Sequence, residues 1–179
     1  MDKTYQYDVV IVGAGSAACC AALAAVETKA RVAILEKAAK QDRGGNSALT
    51  GHLRFVFNGI DDLRPLVKNT SDAELASLLE RLPRRTEADF WDEIMRVTNN
   101  QSDEEMLQVH VTESIKTVQW LASKGHTWVP GSKWNENILL PNGGGYGLIQ
   151  RNCAMLGAAG VEFHYETAAT ELIQDDRDA

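Results

Sequence analysis

The residues best suited to bind a cofactor lie near the start of the chain, in two glycine-containing segments and one acidic position. The first segment is Gly13-x-Gly15-x-x-Ala18, and Glu36 follows Gly13 by 23 residues. With this spacing the first glycine permits a tight turn, the second lets a pyrophosphate approach the backbone, and a small third residue lets helix and strand pack. The carboxylate of Glu36 can accept hydrogen bonds from ribose hydroxyls. The pattern predicts a site for an adenine dinucleotide.

The second glycine-containing segment is Arg43-Gly-Gly-Asn-Ser47. A nicotinamide dinucleotide does not need a second such segment here. A flavin dinucleotide does, because backbone and hydroxyl groups of the protein must contact it along its length from the pyrophosphate to the ring. The segment favours FAD as the cofactor and makes an NAD-dependent Rossmann enzyme the weaker alternative.

Arg54 is the candidate substrate-binding residue, with His52 second. A guanidinium can bind a substrate carboxylate through two parallel hydrogen bonds, while the plainer interpretation is a structural ion pair. No catalytic residue is assigned. The cysteines are expected to be small core residues, and the histidines lack the spacing of metal ligands, so no metal site is predicted.

A strand–helix–strand unit must position the first glycines and Glu36. Residues 7–12 and 31–36 are short apolar runs typical of parallel strands buried on both faces, and 17–27 is a small-residue helix. Residues 37–59 read as an irregular loop. The predicted fold class is α/β, a Rossmann-like FAD/NAD(P)-binding domain with a helical insertion.

The middle of the chain has helical signals. Capping boxes are predicted at Ser71–Glu74 and Ser102–Glu105, the second opening a long amphipathic helix that ends at Gly125. A helix is also predicted over 87–97. The remaining expected elements are a strand at 126–130, a helix over 146–159, and strands at 161–165 and 169–173.

Composition excludes several function classes. The 179 residues carry 18 Lys+Arg and 25 Asp+Glu, a net charge of −7, which argues against nucleic acid as the main partner. No apolar run reaches the length of a membrane span, and we expect no signal peptide. Three cysteines make neither a disulfide framework nor a zinc site, so we expect the reducing cytoplasm.

The chain resembles the fumarate reductase/succinate dehydrogenase flavoprotein superfamily at Val9–Gly15, Ile34–Lys37, Gly44–Ser47 and 160–172. Within that superfamily, Gly44-Gly-Asn-Ser-x-x-Thr50-x-x-Leu53-Arg54 is most similar to the FAD-dependent tricarballylate dehydrogenases. The resemblance implies hydride transfer between flavin N5 and a CH–CH group of a small polycarboxylate, with an unidentified electron acceptor.

The resemblance also implies roles for individual residues. Those expected to bind FAD are Gly13, Gly15, Ser16 and Ala17 at the pyrophosphate, Glu36 and Lys37 at the adenosine ribose, Gly44, Asn46 and Ser47 along the phosphates and ribityl chain, Thr50 and Gly51 near the ring, and Ala169 at the adenine. Relatives with covalent flavin use a histidine near the position of Asn46, and none stands there, so FAD is expected to be non-covalent.

Full members of the superfamily are much longer. The resemblance therefore implies that residues 1–179 form a single, incomplete FAD-binding domain, with a helical insertion over about 60–150 and no substrate-capping domain. The alternative to an oxidoreductase is a non-catalytic FAD-binding or assembly fragment, which would associate with itself or a partner through exposed apolar surface.

Overall fold

A computed structural model describes residues 6–68, 70–82, 84–130 and 139–173. The strands are β1 Val9–Val12, β2 Val32–Leu35, β3 Trp128–Pro130, β4 Leu139–Pro141 and β5 Glu162–His164. The α-helices are α1 Ser16–Glu27, α2 Gly45–Leu49, α3 Ile60–Leu63, α4 Asp72–Arg81, α5 Glu87–Val97, α6 Glu104–Ser123 and α7 Gly144–Ala158, with a 3-10 helix at Lys40–Asp42. The fold is mixed α/β, as predicted.

The chain divides into two compact units. The first unit comprises Met1–Thr50 with Gly145–Ala179, and the second unit comprises Gly51–Gly144. The predicted extent of the helical insertion, about 60–150, stays a prediction.

The first unit contains a parallel sheet of order β1-β2-β5. Val10 pairs with Ala33, and Ile34 pairs with Phe163. Because parallel neighbours need a crossover, α1 joins β1 to β2 and packs against both strands. This arrangement brings the carboxyl ends of β1 and β2 to one edge of the sheet, where both predicted dinucleotide signals lie.

The prediction that both early strands are buried on two faces is correct for β2 and wrong for β1. Ile34 in β2 is fully buried, whereas Val10 and Val12 in β1 are 52% and 60% exposed. Successive strand residues point to opposite faces, so the two exposed valines share one face of β1. Within the described residues β1 is an edge strand with only β2 as a neighbour, and one of its faces is exposed at Val10 and Val12.

The second unit is mainly helical and has its own core. Phe90 on α5 packs with Val56, Leu107 and Val111, and each of these four side chains is at least 96% buried. The Ser114 hydroxyl on α6 accepts a hydrogen bond from the Val56 backbone N–H at 3.0 Å. The short strands β3 and β4 pair antiparallel in this unit.

The boundaries of α1, α5 and α7 agree with the sequence to within two residues, and one predicted N-cap differs. The Ser71–Glu74 capping box is present, and α5 spans the predicted residues, with a further capping box at Thr86. At the start of α6 the cap is Asp103 rather than Ser102, with the Asp103 carboxylate accepting from the Met106 N–H at 2.9 Å. The Ser102 hydroxyl instead hydrogen-bonds the Thr98 hydroxyl at 2.9 Å.

Other differences concern short elements. The region 37–59 contains the 3-10 helix and α2, although it reads as an irregular loop. Residues 169–173 form no strand, because no neighbouring strand pairs with them in the described part of the chain. The strand β4 was not predicted, since three residues ending in Pro141 carry too little pattern. In the described ranges, no helix combines the length and apolarity of a membrane span.

Candidate cofactor site

The first unit contains a groove of about 550 Å³ that joins the two glycine segments to Glu36. It lies at the carboxyl ends of β1 and β2, the usual ligand position in open α/β sheets. Of the predicted cofactor residues, those that line it are Gly13, Gly15, Glu36, Lys37, Gly44, Asn46, Ser47 and Ala169. Ser16, Ala17 and Thr50 belong to the same unit but not to this lining, and Gly51 belongs to the second unit.

The turn from β1 into α1 requires glycine and leaves the helix end open. Gly13 has φ +94°, a conformation that residues with a Cβ adopt at a cost, and its N–H donates to Leu35 O at 2.7 Å. Gly15 precedes α1, whose first turn carries neither an acidic side chain nor a side-chain cap. A helix N-terminus without an acidic side chain favours an anion such as pyrophosphate.

Glu36 is held at the end of β2 by backbone donors. Glu36 is buried, with 8% of the residue exposed. Its two carboxylate oxygens accept hydrogen bonds from Ala14 N at 2.7 Å and from Ala38 N at 2.8 Å. Each oxygen keeps a second lone-pair direction, so the carboxylate can also accept from ribose hydroxyls. The Ala14 contact ties this acid to the turn between Gly13 and Gly15.

The second glycine segment lies directly against the first. The Ser47 hydroxyl accepts from Ser16 N at 3.1 Å, and a Cβ on Gly15 would lie 3.5 Å from that same hydroxyl oxygen. Gly44 has φ +106°, and a Cβ there would approach the Ile149 side chain at 3.0 Å. The groove wall at Gly44 therefore depends on the absence of a side chain, whereas a Cβ at Gly15 would make an ordinary van der Waals contact.

The helix α7 supports this wall, which was not anticipated from the sequence. Gly145 N donates to Thr50 O at 2.8 Å, and a Cβ on Gly145 would lie only 2.1 Å from Ser47 O. The spacing of Gly143–Gly145 in the sequence does not predict this close approach. Thr167 and Ala168 also line the groove, and the adjacent prediction at Ala169 was the signal that could have found them.

The residues present fit a dinucleotide pyrophosphate. The Ser16 hydroxyl oxygen is buried and has no hydrogen-bond partner in the described part of the chain. It stands at the first position of α1, beside the open helix end, where phosphate oxygens would accept from it. This unpartnered donor, next to Gly15 in the groove lining, fits a bound pyrophosphate.

The two candidate substrate residues lie in the second unit. Arg54 Nη1 donates to Glu93 Oε1 at 2.6 Å, and Arg85 Nε lies 3.4 Å from Glu93 Oε2. The Arg54 side chain is 45% exposed, so this ion pair is partly solvated. His52 is exposed. The structural ion pair considered for Arg54 is present, and a substrate contact stays a prediction. No group of three metal-ligating side chains occurs within the ranges described.

The fold and groove define the chain as a Rossmann-like dinucleotide-binding protein. The family model for FAD-dependent oxidoreductases (DAO) matches residues 8–179. The chain belongs to this FAD-dependent oxidoreductase family, and its cofactor is FAD.

The chain is also similar to a curated protein. The chain is 25% identical to the digoxin reductase of Eggerthella lenta over 189 aligned positions, which cover 94% of this chain and 31% of that protein.

Solved structures share the fold. The 3-ketosteroid-Δ4-(5α)-dehydrogenase of Rhodococcus jostii RHA1 matches with a TM-score of 0.69 and 20% identity, covering 98% of this chain and 41% of that one. A flavocytochrome c3 fumarate reductase matches with a TM-score of 0.69 and 22% identity, covering 95% and 28%. The chain thus spans less than half the length of each of these relatives.

Proposed function

We propose that this chain is the FAD-binding part of an oxidoreductase that acts on CH–CH groups of small polycarboxylates such as tricarballylate. The observation that carries the cofactor half of the proposal is the groove that joins both glycine segments to Glu36. In this proposal Glu36 binds the adenosine ribose, the N-terminus of α1 and Ser16 bind the pyrophosphate, and Asn46 and Ser47 continue along the cofactor. Lys37 and Ala169 complete the adenosine end.

FAD, when bound, supplies hydride transfer at its N5 atom. The protein supplies binding and orientation. Gly13 and Gly15 keep the backbone close to the phosphates, and Glu36 fixes the ribose through hydrogen bonds that a 2′-phosphate would oppose. In this proposal Thr50 and Gly51 approach the flavin ring, and Ala17 stands in the first turn of α1. The absence of a histidine near Asn46 supports non-covalent attachment.

The substrate half of the proposal rests on the resemblance of residues 44–54 to tricarballylate dehydrogenases, and on Arg54. Exposed ion pairs contribute about 0–1 kcal/mol, so a substrate carboxylate can replace Glu93 at the Arg54 guanidinium at little cost. His52 is the second candidate contact. The relatives' names, a digoxin reductase and a 3-ketosteroid dehydrogenase, support redox chemistry but make a steroid enone the competing substrate.

The test has two stages. The purified chain is titrated with FAD, and the flavin absorption bands and fluorescence are followed; saturable, reversible binding is expected. The loaded protein is then assayed for dye reduction with tricarballylate and succinate, and for oxidation of a reduced dye by 4-androstene-3,17-dione. Turnover with tricarballylate that falls in Arg54→Ala but not in Arg31→Ala supports the proposal. Turnover with the steroid alone contradicts its substrate half.

The second candidate function is a non-catalytic FAD-binding or assembly fragment. The exposed valines of β1 and the small share of each relative that the chain covers favour it. FAD binding without turnover of any of the three substrates would select this function. Binding of NADH without FAD would contradict both. An unidentified electron acceptor and a cytoplasmic location complete the proposal as further predictions.

A further inference from the structure

The side chain of Arg43 joins three elements of the first unit, next to the second glycine segment. Its Nη1 donates to Lys40 O at 2.6 Å, in the 3-10 helix, and its Nη2 donates to Gln150 Oε1 at 2.6 Å, on α7. The guanidinium carbon lies 5.9 Å from the centre of the Tyr165 ring, and Tyr165 directly follows β5. One side chain therefore links the start of the second glycine segment to α7 and to the end of β5.

The geometry of these contacts requires a guanidinium. Both acceptors are neutral oxygens, a backbone carbonyl and a side-chain amide, so attraction to a carboxylate is not what holds Arg43 in these two bonds. The planar fork of arginine places its donors in fixed directions, and here two of them have separate acceptors. A lysine ammonium is a single centre on a flexible stem, so it does not reproduce this pair of contacts.

The residue after Arg43 lies close to the same helix. A Cβ on Gly44 would be 3.0 Å from the Ile149 side chain, and Ile149 directly precedes Gln150 on α7. Ile149 is 1% exposed and is therefore enclosed by its neighbours. Two successive residues of the second glycine segment thus contact α7, one through a side-chain hydrogen bond and the other through close backbone packing.

These contacts continue into the groove through the backbone. Gly44 lines the groove, and its carbonyl oxygen accepts from Ser47 N at 3.1 Å. The Ser47 hydroxyl, also in the lining, accepts in turn from Ser16 N at 3.1 Å, at the first residue of α1. Arg43 itself lies outside the lining. A displacement of the backbone at Arg43 would therefore move groove-lining residues that the guanidinium does not touch.

We propose that Arg43 is a positioning residue for FAD: through Gln150 it holds the second glycine segment against α7 and so sets how tightly the groove binds the cofactor. This inference rests on the proposed function of the groove as the FAD site. Arg43 acts through Gly44 and Ser47. The alternative is that Arg43 only stabilises the folded chain. Its replacement would then lower the free energy of unfolding and leave the FAD dissociation constant of the folded protein unchanged.

The test compares the FAD dissociation constants of the wild type, Arg43→Met, Gln150→Met and the double variant. Flavin fluorescence is titrated in buffer, where urea unfolding curves show that each protein is folded. Each single variant removes one side of the same hydrogen bond, so each should bind FAD about 10-fold more weakly. The double variant should bind no more weakly than Arg43→Met, because the bond is already lost. A double variant weakened by the product of the single effects, about 100-fold, would overturn the proposal.

Two conservative variants separate positioning from stability. Gln150→Glu keeps an acceptor oxygen for the Arg43 Nη2 and should recover most of the affinity lost in Gln150→Met. Arg43→Lys keeps the charge without the fork and should bind FAD as weakly as Arg43→Met, which it replaces if the methionine variant does not fold. No recovery in Gln150→Glu, or wild-type affinity in Arg43→Lys, would overturn the proposal.

Arg31→Met is the matched control. Arg31 is also an arginine of the first unit, but its side chain bonds Asp8 outside the groove. Its replacement should change the FAD dissociation constant by less than about twofold. Wild-type affinity in all the variants would overturn this inference alone, whereas a wild-type chain that does not bind FAD would overturn the proposed function and this inference with it.

Discussion

The groove of the first unit includes three glycines in left-handed backbone conformations, whereas the second unit relies on side-chain ion pairs and helix caps. Gly13, Gly44 and Gly45 adopt left-handed conformations around the groove. In the second unit Arg54 and Arg85 share Glu93, and serine or threonine side chains cap the helices. Glycines in left-handed conformations are sensitive to an added Cβ, while contacts between exposed side chains tolerate substitution. The two units should therefore respond differently to mutation.

The largest expected effect is that of Gly145→Ala in the first unit. The new Cβ would lie 2.1 Å from Ser47 O and 2.9 Å from Thr50 N, so the backbone around the groove must move. We expect a loss of about 4 kcal/mol or more in the free energy of unfolding, together with the loss of FAD binding. Urea denaturation and FAD titration measure both.

Gly157→Ala is the matched control for this change. Gly157 lies on the same helix, and a Cβ there meets nothing within 4 Å. Alanine should stabilise the helix by roughly 0.5–1 kcal/mol and leave FAD binding intact. If the two variants behaved alike, helix propensity rather than close packing would govern α7.

Phe90→Ala should destabilise the second unit by about 3–5 kcal/mol, because it removes the centre of its core cluster. Since Phe90 does not contribute to the groove, the FAD dissociation constant of the folded protein should change by less than about twofold. Tryptophan fluorescence in urea and FAD titration in buffer separate the two effects. Val97→Ala, at a side chain 56% exposed, should cost less than about 0.5 kcal/mol.

Glu36→Gln tests whether the Glu36 carboxylate, which backbone N–H groups hold in the groove, contributes to FAD binding. The amide replaces one carboxylate oxygen with a donor that faces Ala14 N or Ala38 N, so one of these contacts is lost. FAD should bind about 10–100-fold more weakly, which corresponds to roughly 1.5–3 kcal/mol. Glu162→Gln, in the same sheet but outside the groove, should bind FAD normally. Equal affinities in the two variants would remove Glu36 from the site.

The smallest expected effect concerns pH and the start of β1. The Arg31 side chain and backbone N–H hydrogen-bond the Asp8 carboxylate and lower its pKa from 3.8 to about 2. Because the folded-state pKa is depressed, this stabilisation is present above about pH 4 and is lost as the pH falls through about 2. Asp8→Asn should flatten the stability profile in that window. Asp61→Asn, at an exposed position of the second unit, should leave it unchanged.

Local signals in the sequence predicted much of the fold. The β1–α1–β2 unit was correct because the glycine spacing and the apolar runs act within a few residues. The Ser102 cap was wrong because Thr98, at the end of α5, takes up that hydroxyl and leaves Asp103 to cap α6. The strand at 169–173 failed because alternation in sequence cannot supply a neighbouring strand.

The sequence predicted those parts of the candidate site whose residues lie near one another along the chain. Glu36 and the two glycine segments line one groove, as their spacing implied. The close approach of Gly145 to Ser47 and Thr50 depends on α7 returning to the first unit after the whole of the second. Contacts of this kind arise only from tertiary packing, so residue types and spacing do not reveal them.

The exposed valines of β1 affect how the chain behaves in dilute and concentrated solution. β1 has one strand neighbour in the described residues, and Val10 and Val12 face away from the core. Such an edge is a template for pairing with another chain. Folding within one molecule proceeds at a rate independent of concentration, whereas edge-to-edge pairing between molecules accelerates as the protein becomes more concentrated. Refolding by high dilution should therefore give more monomer than refolding at high protein concentration.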